Sequence, residues 1–350
     1  MKKSIPSSVN VFISIIIPTW NNDATLPKTL KRLTQQTFQN FEVLIVDNGS
    51  TNFNKSKIEQ DWQPLNLKII VLKENTGFTH ACNLGVQHAS GEWLAFLNAD
   101  AFPQPDWLEQ FYRSSQQFLD VASFCSLITQ ARHPDMLDGT GDVYNFSGNA
   151  WKRQAGYPIA CAPQEPQRVF SANAAAAFYR RDVFLEIGGF DEDFFSYFED
   201  VDLGFRLNLA GHQCFFLPSL RVEHIGSSST GQDSDFAVYH HHRNSEWVFW
   251  KNMPGILFFI YFPLHLLGNI VFFLKYFKNG RAKIVIKAKF DALKYLGPML
   301  SKRRMIQKQR RVSILDTNCM LNKQVLAPYL LGYSLRKFNK AHNGRETKRT

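Results

Sequence analysis

The segment from Gly188 to Leu203, GGFDEDFFSYFEDVDL, carries six carboxylates and four phenylalanines in sixteen residues. The acids fall into two groups, Asp191-Glu192-Asp193 and Glu199-Asp200 with Asp202. Burying a carboxylate among aromatic rings costs several kcal/mol unless it is paired or protonated. One use for that cost is a base whose pKa is lifted toward neutrality so that it can take a proton. A solvated acidic loop over an aromatic core has the same composition. Three other polar clusters follow apolar runs: Pro18-Thr19-Trp20-Asn21, Asp47-Asn48-Gly49-Ser50 and Asn98-Ala99-Asp100.

The elements that must position these residues are legible from periodicity. Val11–Ile17, Phe41–Val46, Leu67–Leu72 and Trp93–Leu97 are short apolar runs expected to be strands. Leu26, Leu30 and Leu33 recur at helical spacing after Asp23, a cap candidate. Thr79–His88 and a segment opened by Pro105 are also expected to be helical. Continuous apolar strands separated by helices predict an α/β fold with a mostly parallel sheet covered on both faces. In such sheets ligands gather at the carboxyl ends of the strands, where the three polar clusters fall. No GxGxxG follows the first strand and no GxxxxGK[ST] occurs, which disfavours dinucleotide dehydrogenases and P-loop enzymes.

Thr129–Arg168 reads as an irregular lid or binding surface. Val169–Tyr179 reads as a strand with a small-residue run, Ala174–Ala177, open to close approach by a ligand or backbone. Arg181–Ile187 and Val201–Ala210 are expected helices. Cys214–Leu217 and Leu220–Glu223 are expected short strands leading to His224. His240-His241-His242 reads as a surface run, because adjacent helical residues cannot all face one ion.

At 350 residues the chain has room for a large domain and an appendage. Its five cysteines are odd in number, dispersed and without a CxxC pair, which argues for a reducing compartment. The opening MKKSIPSSVNVFISIII lacks a small-residue cleavage site, so no secretory signal is expected. Of the net charge of +10, a share of +12 lies between Lys275 and Arg311, with 13 Lys or Arg against Asp291. The remainder of the chain therefore sums to −2. An anionic membrane surface or nucleic acid are the partners such a segment invites. Just before it, Gly255–Leu274 has twenty residues without Asp, Glu, Lys or Arg, long enough to span a bilayer. Pro263, His265, Asn269 and the positive-inside bias favour instead an in-plane or re-entrant apolar element followed by a basic surface-binding segment. A buried pair of core helices is the competing reading.

Taken together, SIIIPTWNN (14–22), FEVLIVDNGS (41–50), ENTGFTHACNLG (74–85), WLAFLNAD (93–100), GGFDEDFFSYFEDVDLGFRL (188–207) and RVEHIGSSS (221–229) resemble the inverting family 2 glycosyltransferases, in particular their rhamnosyltransferase-like branch. The resemblance covers roughly residues 11 to 250, in family order. It implies a GT-A fold, a Rossmann-like domain over residues 1–250; the apolar and basic stretches beyond make residues 251–350 an expected helical membrane-associating region. The resemblance further implies a nucleotide-sugar donor, with dTDP-rhamnose the leading candidate, and a divalent cation, Mg²⁺ or Mn²⁺. Pro18, Thr19 and Asn21 would line the base and ribose, and Asp47 would accept a hydrogen bond from the nucleobase. Asp100 matches the last acid of the family's DxD motif and His224 the histidine that completes the cation site. Asn98 stands where the first DxD acid would be, and an amide brings no charge, so cation binding should lean on the diphosphate.

Asp200 matches the general base, with Glu199 as the alternative. Asp202 is expected to cap or orient the helix, Asp191 and Glu192 to touch the acceptor or serve in a turn, and Arg243 to clamp a diphosphate or form a simple ion pair. The expected acceptor is a lipid-linked or cell-surface glycan, polyprenyl-linked for example, reached from the cytoplasmic face of a bacterial inner membrane. The competing functions are a sugar nucleotidyltransferase and a non-catalytic membrane or nucleic-acid binding module, although no nucleic acid partner is expected for the transferase.

Overall fold

The structure, a computed structural model, describes residues 11–226 and 234–325. Its first half follows the apolar periodicity closely. β1 (Ile13–Thr19), α1 (Leu26–Thr34), β2 (Phe41–Asp47), α2 (Lys55–Asp61), β3 (Leu67–Val71), α3 (Phe78–Gln87) and β4 (Trp93–Leu97) alternate as expected, apart from the short α2, which no apolar stripe announces. Strands β3, β2, β1 and β4 lie side by side and parallel. Both faces of β1 and β2 are buried, which is why their sequences are apolar throughout rather than alternating. Glu42 is buried within β2. Burial opposes the charge of Glu42, but Lys68, Ser14 and Ser90 all bond it and bring its pKa down to about 2.

Beyond β4 the chain runs through β5 (Ala101–Pro103), α4 (Trp107–Gln117), β6 (Val121–Gln130), β7 (His133–Gly139), β8 (Asp142–Tyr144), β9 (Ala150–Lys152) and β10 (Gln167–Val169). It continues through β11 (Ala176–Arg180), α5 (Arg181–Glu186), α6 (Glu199–Leu209) and β12 (Gln213–His224). The main sheet has ten strands in the order β10-β12-β6-β11-β4-β1-β2-β3, with β5 beside β12 and β7 beside β6. It is mixed: β11 is antiparallel to both β4 and β6, while β12 and β6 are parallel. The expected irregular stretch 129–168 thus contains four strands, held by backbone pairing and not by apolar periodicity. The expected strand 169–179 is two strands separated by the run Ser171–Ala175, and the two strands expected before His224 are one, with a register shift between Leu217 and Arg221.

Helix α6 is buried on nearly every side. It approaches the Phe170-Ser171 backbone so closely that a Cβ on Gly204 would lie 2.2 Å from that of Ser171. A glycine in mid-helix costs about 1 kcal/mol relative to alanine, and this contact is what it permits.

The chain then forms α7 (Asp235–Asn252), α8 (Gly255–Lys278), α9 (Ala282–Lys294), α10 (Leu296–Gln309) and α11 (Ile314–Met320). The expected boundary at residues 250/251 falls inside α7. One apolar cluster joins Phe194, Phe198 and Phe205 to Trp247, Phe249, Leu257, Ala292 and Met299, so the helices share a core with the sheet domain. Among the described residues, α8 alone is long and apolar enough to cross a membrane. It is continuous through Pro263, neither re-entrant nor a buried pair. Its polar side is fixed: His265 bonds Ser147 O at 2.8 Å and Glu246 at 2.8 Å, and Asn269 bonds Glu246 at 2.6 Å. Ile256, Phe259, Ile260, Leu267, Ile270, Leu274 and Phe277 are left exposed.

Candidate active site

Strand β1 ends at Thr19, and the next turns are tied to the end of β2. Asn48 N–H donates to Thr19 O at 2.8 Å, and Asn21, in the left-handed region at φ 53°, bridges to the neighbouring loop. Its N–H donates to Ser50 Oγ at 2.8 Å and its Oδ1 accepts from Thr51 N–H at 3.0 Å. Asn21 therefore spends its side-chain oxygen on the scaffold. Asp47 is buried and accepts long bonds from Ser50 N–H, 3.3 Å to each oxygen. Burial raises its pKa against the lowering from Ser50. Asn48, which sequence reading passes over, accepts from Thr76 and donates to Asn75 and to Gly77 O. It joins the second strand end to the Glu74–Gly85 motif.

The third strand end carries Asn98 and Asp100. Asp100 O accepts Ile225 N–H at 3.1 Å, which brings the end of β12 beside it. His224 pairs with Ala101 on β5 and Gln130 on β6, so its ring position is set by strands on both sides. Its Nε2 lies 3.2 Å from Asp100 Oδ1 and 3.4 Å from the Asn98 amide, and its Nδ1 lies 2.9 Å from Asp138 Oδ2. Burial works against a charge on this histidine, yet the bonds to Asp100 and Asp138 outweigh it and raise the pKa above the ordinary value. Asp138 is held as carboxylate against its own burial by Lys152 at 2.7 Å and by His224. The last three residues of RVEHIGSSS, 227–229, lie outside the described residues.

Asp200 opens α6 just after Phe198. Its Oδ1 accepts Val201 N–H at 2.8 Å and its Oδ2 accepts Ala174 N–H at 3.3 Å. The next peptide, Ala175, accepts Asn98 N–H at 3.0 Å. Two adjacent alanines therefore hold Asp200 on one side and the backbone of Asn98 on the other. Asp200 of α6 and the backbone of Asn98, just past β4 and about a hundred residues earlier in the chain, thus flank the same Ala174-Ala175 segment.

Burial raises the pKa of Asp200 despite those backbone donors. Glu199 is 8% exposed, and its Oε2 has no hydrogen-bond partner. Burial, then the charge of Asp200, pushes its pKa well up. Asp142 is raised by the same two causes, with Ser171 Oγ donating to it at 3.0 Å. Lys152 is the cation nearest this trio. Its charge opposes the shifts of both Asp142 and Asp200 while it bonds Asp138.

Several expectations are corrected here. Arg243 clamps no open site: its Nη2 donates to Asp193 O and Phe194 O at 3.0 and 2.9 Å. Asp191 is paired with Lys251 at 2.6 Å and with Lys302, and Glu192 with His80 at 2.9 Å, so neither is free for an acceptor. Asp202, by contrast, orients α6 as expected, through bonds to Arg206, Asn252 and Lys251. His240 and His242 are buried, not a surface run, because α7 packs under the aromatic loop. Asp138, Asp142 and Lys152 are the residues missed by sequence reading. Their signal is DGTGD (138–142), two aspartates around two glycines.

Among the described residues no three His, Cys, Asp or Glu side chains form a metal-holding group. Asp100 and His224, with the Asn98 amide alongside, nonetheless fit a cation that takes its remaining ligands from a diphosphate. Asp138 on Nδ1 fixes the ring orientation and leaves Nε2 toward Asp100, as a carboxylate behind a metal-binding histidine does.

Polar strand ends over a mixed sheet, with carboxylates converging on them from a helix N-terminus, define a GT-A-type α/β domain. Residues 14–188 match the family described as Glycosyl transferase family 2, half of the chain, and the chain belongs to that family. The O-antigen biosynthesis protein RfbC of Myxococcus xanthus is 29% identical over 230 residues, covering 63% of this chain and 18% of that protein. The chain thus corresponds to a small part of that relative. The N-acetylglucosaminyl-diphospho-decaprenol L-rhamnosyltransferase of Mycobacterium tuberculosis is 25% identical over 256 residues, 67% of this chain and 82% of that one. The solved mannosyltransferase of Pyrobaculum calidifontis, in complex with GDP-Man and Mn²⁺, is 15% identical, with a TM-score of 0.51 covering 93% of this chain and 82% of that one. At that identity the likeness speaks for the fold.

Proposed function

We propose that this chain is an inverting glycosyltransferase that moves a sugar from a nucleoside-diphosphate donor, dTDP-rhamnose first, to a lipid-linked glycan acceptor at a membrane surface. The observation that supports the reading is the Ala174-Ala175 bridge, where Ala174 N–H donates to Asp200 and Ala175 O accepts from Asn98 N–H.

An acceptor hydroxyl is a poor nucleophile until its proton is taken. Asp200 takes it: the O–H bond breaks as the acceptor oxygen bonds the anomeric carbon. The bond from that carbon to the diphosphate breaks on the opposite face, and its electron pair leaves with the nucleotide. One base and no covalent intermediate give inversion. A raised pKa suits Asp200 to this work, because a stronger base takes the proton more readily. Glu199, more deeply buried and, among the described residues, lacking a partner on Oε2, is held back from ionising by burial and by the charge of Asp200.

On the other side, Asp47 with Pro18 and Thr19 meets the base and ribose, while Asn21 holds that wall together. Asp100, His224 and Asn98 face the diphosphate and would hold a Mg²⁺ or Mn²⁺ there. Such a cation, when bound, offsets the charge that grows on the departing diphosphate.

The lipid acceptor is supported by the decaprenol-linked substrate in the name of the mycobacterial relative. It is supported also by α8, whose polar side is bolted to the sheet domain while its apolar side is open beside exposed Lys275, Lys278 and Lys283. That arrangement suits a helix lying in one leaflet of the cytoplasmic face, with its basic flank on anionic headgroups.

Thermal-shift measurement against a panel of nucleotide sugars, with and without Mg²⁺ or Mn²⁺, tests the donor. A stabilising dTDP-rhamnose followed by nucleoside-diphosphate release supports the reading, whereas pyrophosphate release from dTTP and a sugar 1-phosphate, assayed in parallel, would show a nucleotidyltransferase instead. Replacing Phe259 and Ile270 by Asp should abolish co-sedimentation with phosphatidylglycerol vesicles; retained binding would refute the membrane assignment.

A further inference from the structure

The four residues before Glu199 carry an unusual backbone. Phe195, Tyr197 and Phe198 lie at φ 65°, 68° and 67°, in the left-handed region that side chains of this bulk rarely occupy. Gly77, itself at φ 95°, is needed beside them, because a Cβ there would lie 2.7 Å from the Phe195 ring. Strain of this kind persists only where the surroundings impose it.

Around them Thr79 N–H donates to Phe195 O at 3.3 Å and the His240 ring stacks on Phe195, and one fully buried side chain packs there, Asn244 of α7. Its Nδ2 donates to Phe194 O at 3.0 Å, Ser196 O at 2.9 Å and Tyr197 O at 2.7 Å. Carbonyls only accept, so the amide must turn its two protons toward them. Arg243 enforces that orientation, because its Nε donates to Asn244 Oδ1 at 2.9 Å. The same guanidinium lies 4.2 Å over the Trp247 ring and donates to Asp193 O and Phe194 O. Two consecutive residues of α7 therefore hold the carbonyls of Asp193, Phe194, Ser196 and Tyr197, on the segment that ends where α6 begins.

We propose that Asn244 is a positioning residue for the reaction: it imposes the left-handed run 195–198 and thereby sets where α6 starts and where Asp200 points. This rests on the transferase reading of Asp200. Arg243 acts through Asn244 by fixing its amide. Neither is a catalytic residue.

Asn244→Ala should raise amide hydrogen exchange across residues 194–201 at least about tenfold while the sheet strands keep their protection. In turnover with dTDP-rhamnose, UDP-GlcNAc or GDP-mannose and Mn²⁺, followed by nucleoside-diphosphate release, kcat should fall roughly 10²-fold. Donor KM should stay within about twofold, because the donor walls belong to β1 and β2. The acid limb of the kcat–pH profile should shift as the surroundings of Asp200 change. Adding Tyr197→Gly, which adopts φ near 68° without strain, should restore part of kcat. Should Asn244→Ala fail to accumulate folded, Asn244→Ser, which keeps one donor, is expected to give an intermediate kcat.

Unchanged exchange across 194–201 overturns the proposal. So does a loss of kcat matched by equal loss of donor affinity and thermal stability, with no rescue by Tyr197→Gly. If the wild-type protein releases no nucleoside diphosphate from any of the three donors, the transferase reading fails, and the exchange measurement still decides whether Asn244 holds the loop.

Discussion

Two sets of carboxylates come from the same sixteen residues and meet opposite surroundings. Asp191, Asp193 and Asp202 are neutralised: Lys251 reaches Asp191 and Asp202 at 2.6 Å each, Lys302 reaches Asp191 and Asp193, and Arg206 reaches Asp202 at 2.8 Å. Among the described residues Glu199 and Asp200 form no such ion pair; the charge of Asp142 bears on Glu199 and that of Asp200 on Asp142, while Lys152, bonded to Asp138, opposes the shift of Asp200. The first set is driven below the ordinary carboxylate range at Asp191, by lysines that overcome its burial; the second is driven above it by burial itself. Acid density is therefore no mark of reactivity. The mark is the acid left without a cation, because only that one retains appetite for a proton.

The largest effect that would break this contrast is expected at Asp200. Asp200→Asn should lower kcat by about 10²–10⁴-fold with donor KM little changed, measured by steady-state nucleoside-diphosphate release. A loss of donor affinity equal to the loss of turnover would move Asp200 to the structural side. Lys251→Met attacks the other set. It strands two buried carboxylates, and urea unfolding should show roughly 3–5 kcal/mol of lost stability. The protein that remains folded should still bind donor.

A third acid calibrates the paired side. The stability contributed by Glu42 should be fully present above its unfolded pKa of 4.5 and lost as pH falls through about 2, amounting to about 3 kcal/mol that Glu42→Gln removes at neutral pH.

The smallest effects sharpen the contrast through its sign. Asp191, lowered on folding, gives stability that is present above the ordinary aspartate pKa and disappears as acid is added. Glu199, raised on folding, does the reverse: its penalty is complete above its folded pKa and fades as pH falls toward the unfolded value. Stability–pH curves of Asp191→Asn and Glu199→Gln should therefore diverge from wild type in opposite directions. Glu199→Gln should also keep kcat within about an order of magnitude; a loss as deep as that of Asp200→Asn would make Glu199 the base.

The legible part of the site was the part carried by regular elements. Asp47, Asn98 and Asp100 stand at the ends of strands whose apolar runs mark them, so the general rule for α/β sheets locates them. Asp138, Asp142 and Lys152 were hidden because β8 and β9 have three residues each and β7 is exposed over its first half, and neither apolar periodicity nor helical spacing marks such strands. Arg243 looked available for a phosphate because a guanidinium's chemistry suits one. Which carbonyls it would find instead depends on how α7 packs under the aromatic loop. The histidine run misled for the same reason, since burial belongs to packing.

By itself the sequence determined which residues can ionise, which strands must be buried, and the order in which polar strand ends are delivered to one sheet edge. Periodicity and residue type are local properties of the chain. Only the tertiary structure decided which of six neighbouring carboxylates would be paired, because the lysines that pair them arrive from α7 and α10, fifty to a hundred residues later. Coulomb interactions depend on distance through space, and only the folded chain sets those distances.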